Sequence, residues 1–588
     1  MSNISLFQEQ MLKNNIAAYI VTISDYHNSE YVSEHFKTIQ FLTGFTGSTA
    51  TLIVLKKSAL LWVDGRYYIQ AEKQVNLNEI TIMKASDPNT PSVVEFLNST
   101  LRSNDIIAFN GKTINANIII DIKKNIKKHT IQFNHNIDLI DNIWSERPKL
   151  PFSIIYKLDT FFSGSEYEDK LADIHKDLNK LKADIHILSS LEDQAWLYNL
   201  RANDIENNPV FLAHSIITND STILFVDTNK IDLTVDRYLN SIDVIVKPYN
   251  EFYDYLKTIK GKNVLVDLNK LNYYTYSSIS EHNNIINSYN PTTLLKCIKN
   301  KTEIKNIKLA HIKDGAAFVK FMYYVKESYN YKNDISELSL TKYLDDLRKE
   351  NPGYIEKSFN TICAFNTHAA MMHYTATPES DAIIDTSGFL LVDSGAHYLE
   401  GTTDITRTIV LGDISKEMKL HFTTVLKSVI ALSKAKFLDN CTGGNLDVLA
   451  RAPIWDLAID YKCGTGHGVG YLSSVHEGPN AFRCSNNTVF VPGMITTNEP
   501  GIYLENKYGI RTENELLCVE HSSNDFGNFL CFETLTFAPI DLDGIDIELL
   551  SNDEKQWLNN YHKQVYEIIS PSLSNEEQEW LRNATREI

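Results

Sequence analysis

The chain has 588 residues, with 56 Lys and Arg against 74 Asp and Glu and a net charge of −18 at neutral pH. That length exceeds what one hydrophobic core serves and implies roughly three or four domains. The acidic balance argues against a nucleic-acid groove and against an anionic membrane surface. An apolar fraction of 43% is that of a soluble globular protein. The first residues show no basic stretch followed by an apolar run, and no stretch reaches about 18 apolar residues. Neither a signal peptide nor a membrane span is therefore expected. The cysteines are Cys297, Cys363, Cys441, Cys463, Cys484, Cys518 and Cys531. Their lack of zinc-ribbon spacing suits free thiols in a reducing cytoplasm. No internal repeat shows at the scale of about 20–50 residues.

Residues 1–150 alternate strand and helix patterns, predicting an α/β domain. After an opening helix come a strand at 17–23, a glycine-punctuated strand pair over 41–54, a strand leading into Asp64-Gly65-Arg66-Tyr67, and a strand at 105–109. The lysine-rich patch at 123–128 reads as a solvated helix face. The run 144–151, with Pro148 and Pro151, closes the domain. Residues 151–297 repeat the style, with a helix at 167–182 and strands at 183–189, 221–226 and 262–267. Asn290-Pro291 and the basic run 296–301 mark the next boundary. From Thr302 onward, Ile304, Ile307, Ala310, Ile312 and Ala316-Ala317 recur at helical spacing. They open a third domain, 298–588. Within it 535–540 reads as a strand and 551–588 as a charged helical tail.

The chemistry is concentrated in that third domain. The stretch 391–407, LVDSGAHYLEGTTDITR, reads as a β-hairpin with Asp393 on one arm and Asp404 on the other. If Glu400-Gly401 is the turn, Leu399 faces Thr402 and His397 faces Asp404. Asp393 then lies four residues further along, and a bulge at Ser394-Gly395 must bend the arm to unite the aspartates. Two half-buried carboxylates brought together need a cation; the alternative is a pair of solvated turn aspartates. Downstream, the glycine-rich run 463–470 surrounds His467 and permits close backbone approach. Glu499 sits at a strand end before a Pro-Gly turn, and Glu513 on what reads as a neighbouring strand. Four carboxylates and one imidazole suit Mn²⁺ or a similar hard divalent ion better than a thiolate zinc site. The number fits two ions sharing a bridging carboxylate and a bridging water.

The order Asp, Asp, His, Glu, Glu resembles that of the metal-dependent pita-bread peptidases. The contexts VDSGAHY, GTTDITRT, GTGHGVG, VHEGP, NEPGIY and GIRTEN resemble the long, cytosolic form of aminopeptidase P (Xaa-Pro aminopeptidase). FLTGFTGSTATLIV, WVDGRYYIQAEKQ, AWLYNLRANDIENNPVF and WLNNYH carry the resemblance over nearly the whole chain. It implies a mixed α/β and α+β architecture: two tandem creatinase-like domains (1–150 and 151–297), then a pita-bread catalytic domain (298–588).

The resemblance also implies a site. Two divalent ions, Mn²⁺ foremost with Co²⁺ or Zn²⁺ as alternatives, would be held by Asp393 on one side, His467 and Glu499 on the other, and Asp404 and Glu513 between. A hydroxide bridging them would hydrolyse the Xaa-Pro bond at the start of peptides with proline second. His373 and His467 would border the substrate, and His476 would contact its carbonyl and the tetrahedral oxyanion. Glu499 would serve as both ligand and proton shuttle, two roles it cannot fill fully at once. Arg511 would orient the carboxylates. The ordinary alternatives are core histidines and a surface ion pair. Cys463 stands four residues before His467, where relatives carry a histidine. His368 reads as incidental. Arg66 and Tyr67 match the family and read as structural, or as near a dimer partner's site. A cytoplasmic homodimer is implied. The competing readings are a Xaa-Pro dipeptidase and a metal-free pita-bread scaffold used for binding.

Overall fold

The computed structural model describes residues 2–85, 87–127, 130–330 and 334–588. Residues up to 159 together with 165–293 form one unit; residues 160–164 and 294–588 form the other.

The first unit holds two six-stranded sheets built on one plan. In the first, the order across the sheet is Ile80–Lys84, Ala59–Val63, Thr51–Leu55, Ala18–Thr22, Ile106–Ala108, Gln132–Asn134. In the second it is Val244–Pro248, Thr222–Val226, Ala213–Thr218, Ile185–Leu188, Asn263–Val266, Asn284–Asn287. Each time the first strand sits centrally and pairs antiparallel with the next, while parallel crossovers complete both edges. The central strands are buried on both faces, which explains apolar runs such as Ala59–Val63 rather than alternation. The repeat thus exists at the scale of a whole domain. The expected strand pair over 41–54 is half wrong. Thr38–Thr43 is a helix that stops on Gly44 in the left-handed region (φ 80°), and the strand begins at Thr51. Lys123, Lys124 and Lys127 are exposed as expected; Lys128 lies outside the described residues.

The second unit opens with the helix Lys301–Asn330, joined by Glu337–Lys349, Lys416–Ser433 and Gly443–Trp455. These pack around a three-stranded sheet (Ile362–Phe365, Gly388–Ser394, Ile405–Leu411) and a four-stranded sheet (Lys436–Leu438, Gly527–Thr534, Asn514–Asn524, Ile495–Asn498). Phe389, Val410, Phe422, Leu426, Ile502 and Ile510 share a core with Leu558, Tyr561 and Val565 of the helix Asn552–Ile569.

The hairpin differs from its expected register. Ser394 faces Ile405, His397 faces Thr402 and Tyr398 faces Gly401. The turn is therefore Leu399-Glu400, and no residue is inserted on either arm, so the expected bulge is not there. Gly401 serves close packing rather than the turn: its φ is 142°, and a Cβ would lie 2.8 Å from Ile307 on the opening helix. The expected strand over 535–540 is extended but joins no ladder. Side chains take its carbonyls instead. Arg407 donates to those of Ala538 (2.9 Å) and Pro539 (3.1 Å), and the Tyr561 hydroxyl to that of Ala538 (2.8 Å). Within the basic run 296–301, Lys296 and Lys299 are buried. Among the described residues, no helix is long and apolar enough to cross a membrane.

Candidate metal centre

In the observed register Asp393 faces Thr406, and Asp404 stands opposite Gly395. Period-two alternation puts Asp393, Gly395, Asp404 and Thr406 on one face, with the aspartates as diagonal neighbours. Gly395 makes the close pairing possible: a Cβ there would lie 1.9 Å from the Thr403 carbonyl. Glu513 sits in the joint between Tyr508–Arg511 and Asn514–Asn524, not within a strand as expected. Its N–H donates to the Thr406 carbonyl (3.1 Å), and its Oε2 accepts from Thr406 Oγ1 (2.6 Å). Glu499 directly follows the strand Ile495–Asn498.

His467 is held by the Gly466–His467 bridge to Ala481–Phe482. A Cβ on Gly466 would lie 1.8 Å from the Thr497 carbonyl, so the glycine lets the histidine loop reach the strand that carries Glu499. His467 Nδ1 is 3.0 Å from the Gly468 carbonyl and must donate to it. The other nitrogen, Nε2, then faces Asp404 Oδ2 and Glu499 Oε1, each at 3.4 Å. That is the tautomer a metal-binding histidine needs.

One donor atom from each of Asp404, His467 and Glu513 lies within 4.8 Å of the others. Asp393 Oδ1, Asp404 Oδ1 and Glu513 Oε1 are buried and have no hydrogen-bond partner among the described residues. Burial first, then repulsion from Asp393, Glu499 and Glu515, pushes the Asp404 carboxyl well above the usual carboxylate range. Burial, then Asp404, Glu499 and Asp393, does the same to Glu513. Arg511 donates to Asp393 and, at 2.6 Å, to the Tyr503 hydroxyl. One guanidinium does not neutralise four carboxylates, and the orphaned oxygens fit hard divalent cations.

His476 packs edge-on to His467, with ring centroids 4.3 Å apart. His373 is half-buried in the loop after Asn366–Ala370. Its neighbour Met372 offers a carbonyl 3.5 Å from Arg511 Nη2. Cys463 is half-buried and packs against the same apolar core as Tyr503. His368 has a local partner: its Nδ1 lies 2.9 Å from buried Glu337, which also accepts from the Tyr374 hydroxyl (2.8 Å). Arg66 pairs with Asp64 at 2.7 Å, and buried Tyr67 shares a hydrogen bond with Ser48.

Sequence reasoning missed Glu515, whose Oε1 accepts the Asp404 N–H at 2.7 Å while Oε2 lies 3.3 Å from His311. The alternation Glu513-Asn514-Glu515 was the available signal, but His311 comes from a distant helix.

Such a centre, on a fold of this kind, defines a metal-dependent hydrolase. Residues 305–520 match the model of metallopeptidase family M24 and 528–588 that of its C-terminal region. Residues 4–143 and 146–303 each match a creatinase/prolidase N-terminal domain. Aminopeptidase P2 of Arabidopsis thaliana is 35% identical over 95% of this chain and 84% of its own length. Xaa-Pro aminopeptidase 1 of Dictyostelium discoideum is 34% identical over 95% and 92%. The crystal structure of the X-prolyl aminopeptidase of Caenorhabditis elegans, described as a cytosolic enzyme with a di-nuclear active site, superposes with a TM-score of 0.95. It is 31% identical and covers 100% of this chain and 99% of that one. The chain belongs to the Xaa-Pro aminopeptidase (aminopeptidase P) family within metallopeptidase family M24.

Proposed function

We propose that the protein removes the first residue from peptides whose second residue is proline. The observation that carries this reading is the meeting of Asp404, His467 and Glu513 amid orphaned carboxylate oxygens. Kinship with Xaa-Pro aminopeptidases over nearly the full chain supports it. Asp393, Asp404, His467, Glu499 and Glu513 would hold two divalent ions, Mn²⁺ by preference. Such a pair lowers the pKa of bound water towards neutrality and polarises the scissile carbonyl.

The chain's own residues do the rest. His476, beside His467, donates to the substrate carbonyl and to the oxyanion that develops there. Glu499 is half-buried and, besides His467, meets the Thr497 hydroxyl (3.2 Å). Ligating through one oxygen only, it would use the other to take up the proton released on attack and return it to the departing proline nitrogen. His373 borders the substrate's amino end, and Arg511 fixes Asp393. Proline's tertiary amide offers no N–H, so a dedicated site is needed. Domain limits near 150 and 297, a homodimer and a cytosolic setting complete the reading.

The test is hydrolysis of Ala-Pro-Ala by metal-stripped protein with Mn²⁺, Co²⁺ or Zn²⁺ restored, against Ala-Ala-Ala and Ala-Pro. Metal-dependent release of the first residue from Ala-Pro-Ala alone is expected. Cleavage of Ala-Pro alone would make it a dipeptidase, and no cleavage with any metal would overturn the activity.

A further inference from the structure

Lys296 and Lys299 belong to the basic run that reads as a boundary, yet their side chains are only 8% and 1% exposed. Both converge on Glu477, itself 3% exposed. Lys299 Nζ lies 2.6 Å from Oε1 and Lys296 Nζ 3.3 Å from Oε2. Lys299 also donates to the Lys296 carbonyl at 2.7 Å. The lysines hang from a fixed point. The adjoining Asn300 caps the helix Lys301–Asn330: its Oδ1 accepts the N–H groups of Thr302 (2.9 Å) and Glu303 (3.0 Å).

Glu477 directly follows His476. Its N–H donates to the Gly468 carbonyl (2.8 Å), and the Gly468 N–H donates to the Asn480 carbonyl (2.9 Å). A Cβ on Gly468 would lie 2.0 Å from the Glu477 carbonyl oxygen. The loop carrying His467 and the loop carrying His476 are therefore clasped together, with Glu477 as the peg driven into the lysine pair. A carboxylate buried this deeply persists only with its cations in place. The clasp fixes the edge-on stacking of His476 against His467.

We propose that Lys299, supported by Lys296, is a positioning residue: through Glu477 it sets the aim of His476 at the reacting carbonyl. This rests on the role proposed above for His476.

The test compares Glu477→Gln, Lys299→Met and Lys299→Arg, each alone and with His476→Ala. Kinetics on Ala-Pro-Ala with Mn²⁺ are read beside amide hydrogen exchange over residues 466–480. Glu477→Gln and Lys299→Met are expected to lower kcat roughly tenfold with KM within about twofold, as for a misplaced group, and Lys299→Arg to restore most of it. On the His476→Ala background the same changes should cost less than about twofold, because coupled residues are not additive. Exchange over 473–480 should quicken. An equal loss on both backgrounds, full kcat in Glu477→Gln, or unchanged exchange would overturn the proposal. If Lys299→Met does not fold, Glu477→Gln and Lys299→Arg carry the comparison. If the unaltered protein leaves Ala-Pro-Ala intact, the activity reading fails instead, and exchange alone decides the anchoring.

Discussion

Asp404 and Glu513 each carry a buried oxygen that finds no hydrogen-bond partner among the described residues, and both are driven towards protonation by burial and by their neighbours. Without metal they destabilise the fold; with metal they hold it together. Asp404→Asn is therefore expected to raise the thermal midpoint of the metal-stripped protein. It should also weaken Mn²⁺ binding by more than about 100-fold, beyond what loss of a ligand's supporting partner does. Calorimetry of apo and loaded protein reads both, and a lower apo midpoint would contradict the argument. Two buried histidines act elsewhere. Burial first holds His186 down to about 4 and His562 down to about 3. Both stay neutral in the fold, whereas the unfolded chain protonates them below its pKa of about 6.5. Their contribution is thus present above that pH and is lost as pH falls towards 4, at about 1.4 kcal/mol per pH unit each. His562→Gln should flatten the fall of the thermal midpoint between pH 6.5 and 4, measured by scanning calorimetry at stepped pH. At this scale the five ligand candidates were legible because their residue types and flanking glycines mark them. Glu515, Glu337 and Lys299 were not, because a buried charge reads in sequence like an exposed one until its partner is known.

The hairpin is the element that makes the centre. Its two arms were legible from apolar runs and β-branched residues, but its turn was not. Glu400-Gly401 is the stronger local turn signal, and the Leu399-Glu400 turn prevails because the Ile307 helix presses on Gly401. That one-residue displacement moves the aspartates from four residues apart to diagonal neighbours and removes the need for a bulge. Gly395→Ala should force the arms apart at Thr403. We expect a loss of about 3 kcal/mol in the catalytic unit, as for severe overpacking, with weakened Mn²⁺ binding. Urea unfolding and titration calorimetry would show it; unaltered stability would mean that the backbone there is softer than its 1.9 Å clash implies.

At the scale of the molecule, the C-terminal helices are part of the catalytic unit's core. Leu558, Tyr561, Val565, Ile569 and Leu581 are buried in it. The Tyr561 hydroxyl lies 2.7 Å from Arg407, whose Nη1 donates to the Glu513 carbonyl at 2.5 Å. A chain ending at residue 550 would expose that apolar face and leave the buried Arg407 short of an acceptor. It is expected to be insoluble or to lack a cooperative unfolding transition; a soluble, cooperatively folded fragment would refute this. None of the seven cysteines is disulfide-bonded, so reducing agent should leave the thermal midpoint of the whole protein unchanged.

The sequence by itself determined the two tandem α/β domains, the helical opening of the third, and the identities of the candidate ligands. Those follow from periodicity, turn chemistry and the hardness of oxygen donors, all local properties. Only the tertiary structure decided the hairpin register, the joint that carries Glu513, the ladder-free stretch held by Arg407 and Tyr561, and the lysines buried on Glu477. Each is set by a partner 23 to 178 positions away in the chain, from Tyr561 with Ala538 to Lys299 with Glu477. At such separations loop closure and packing override what any short stretch prefers.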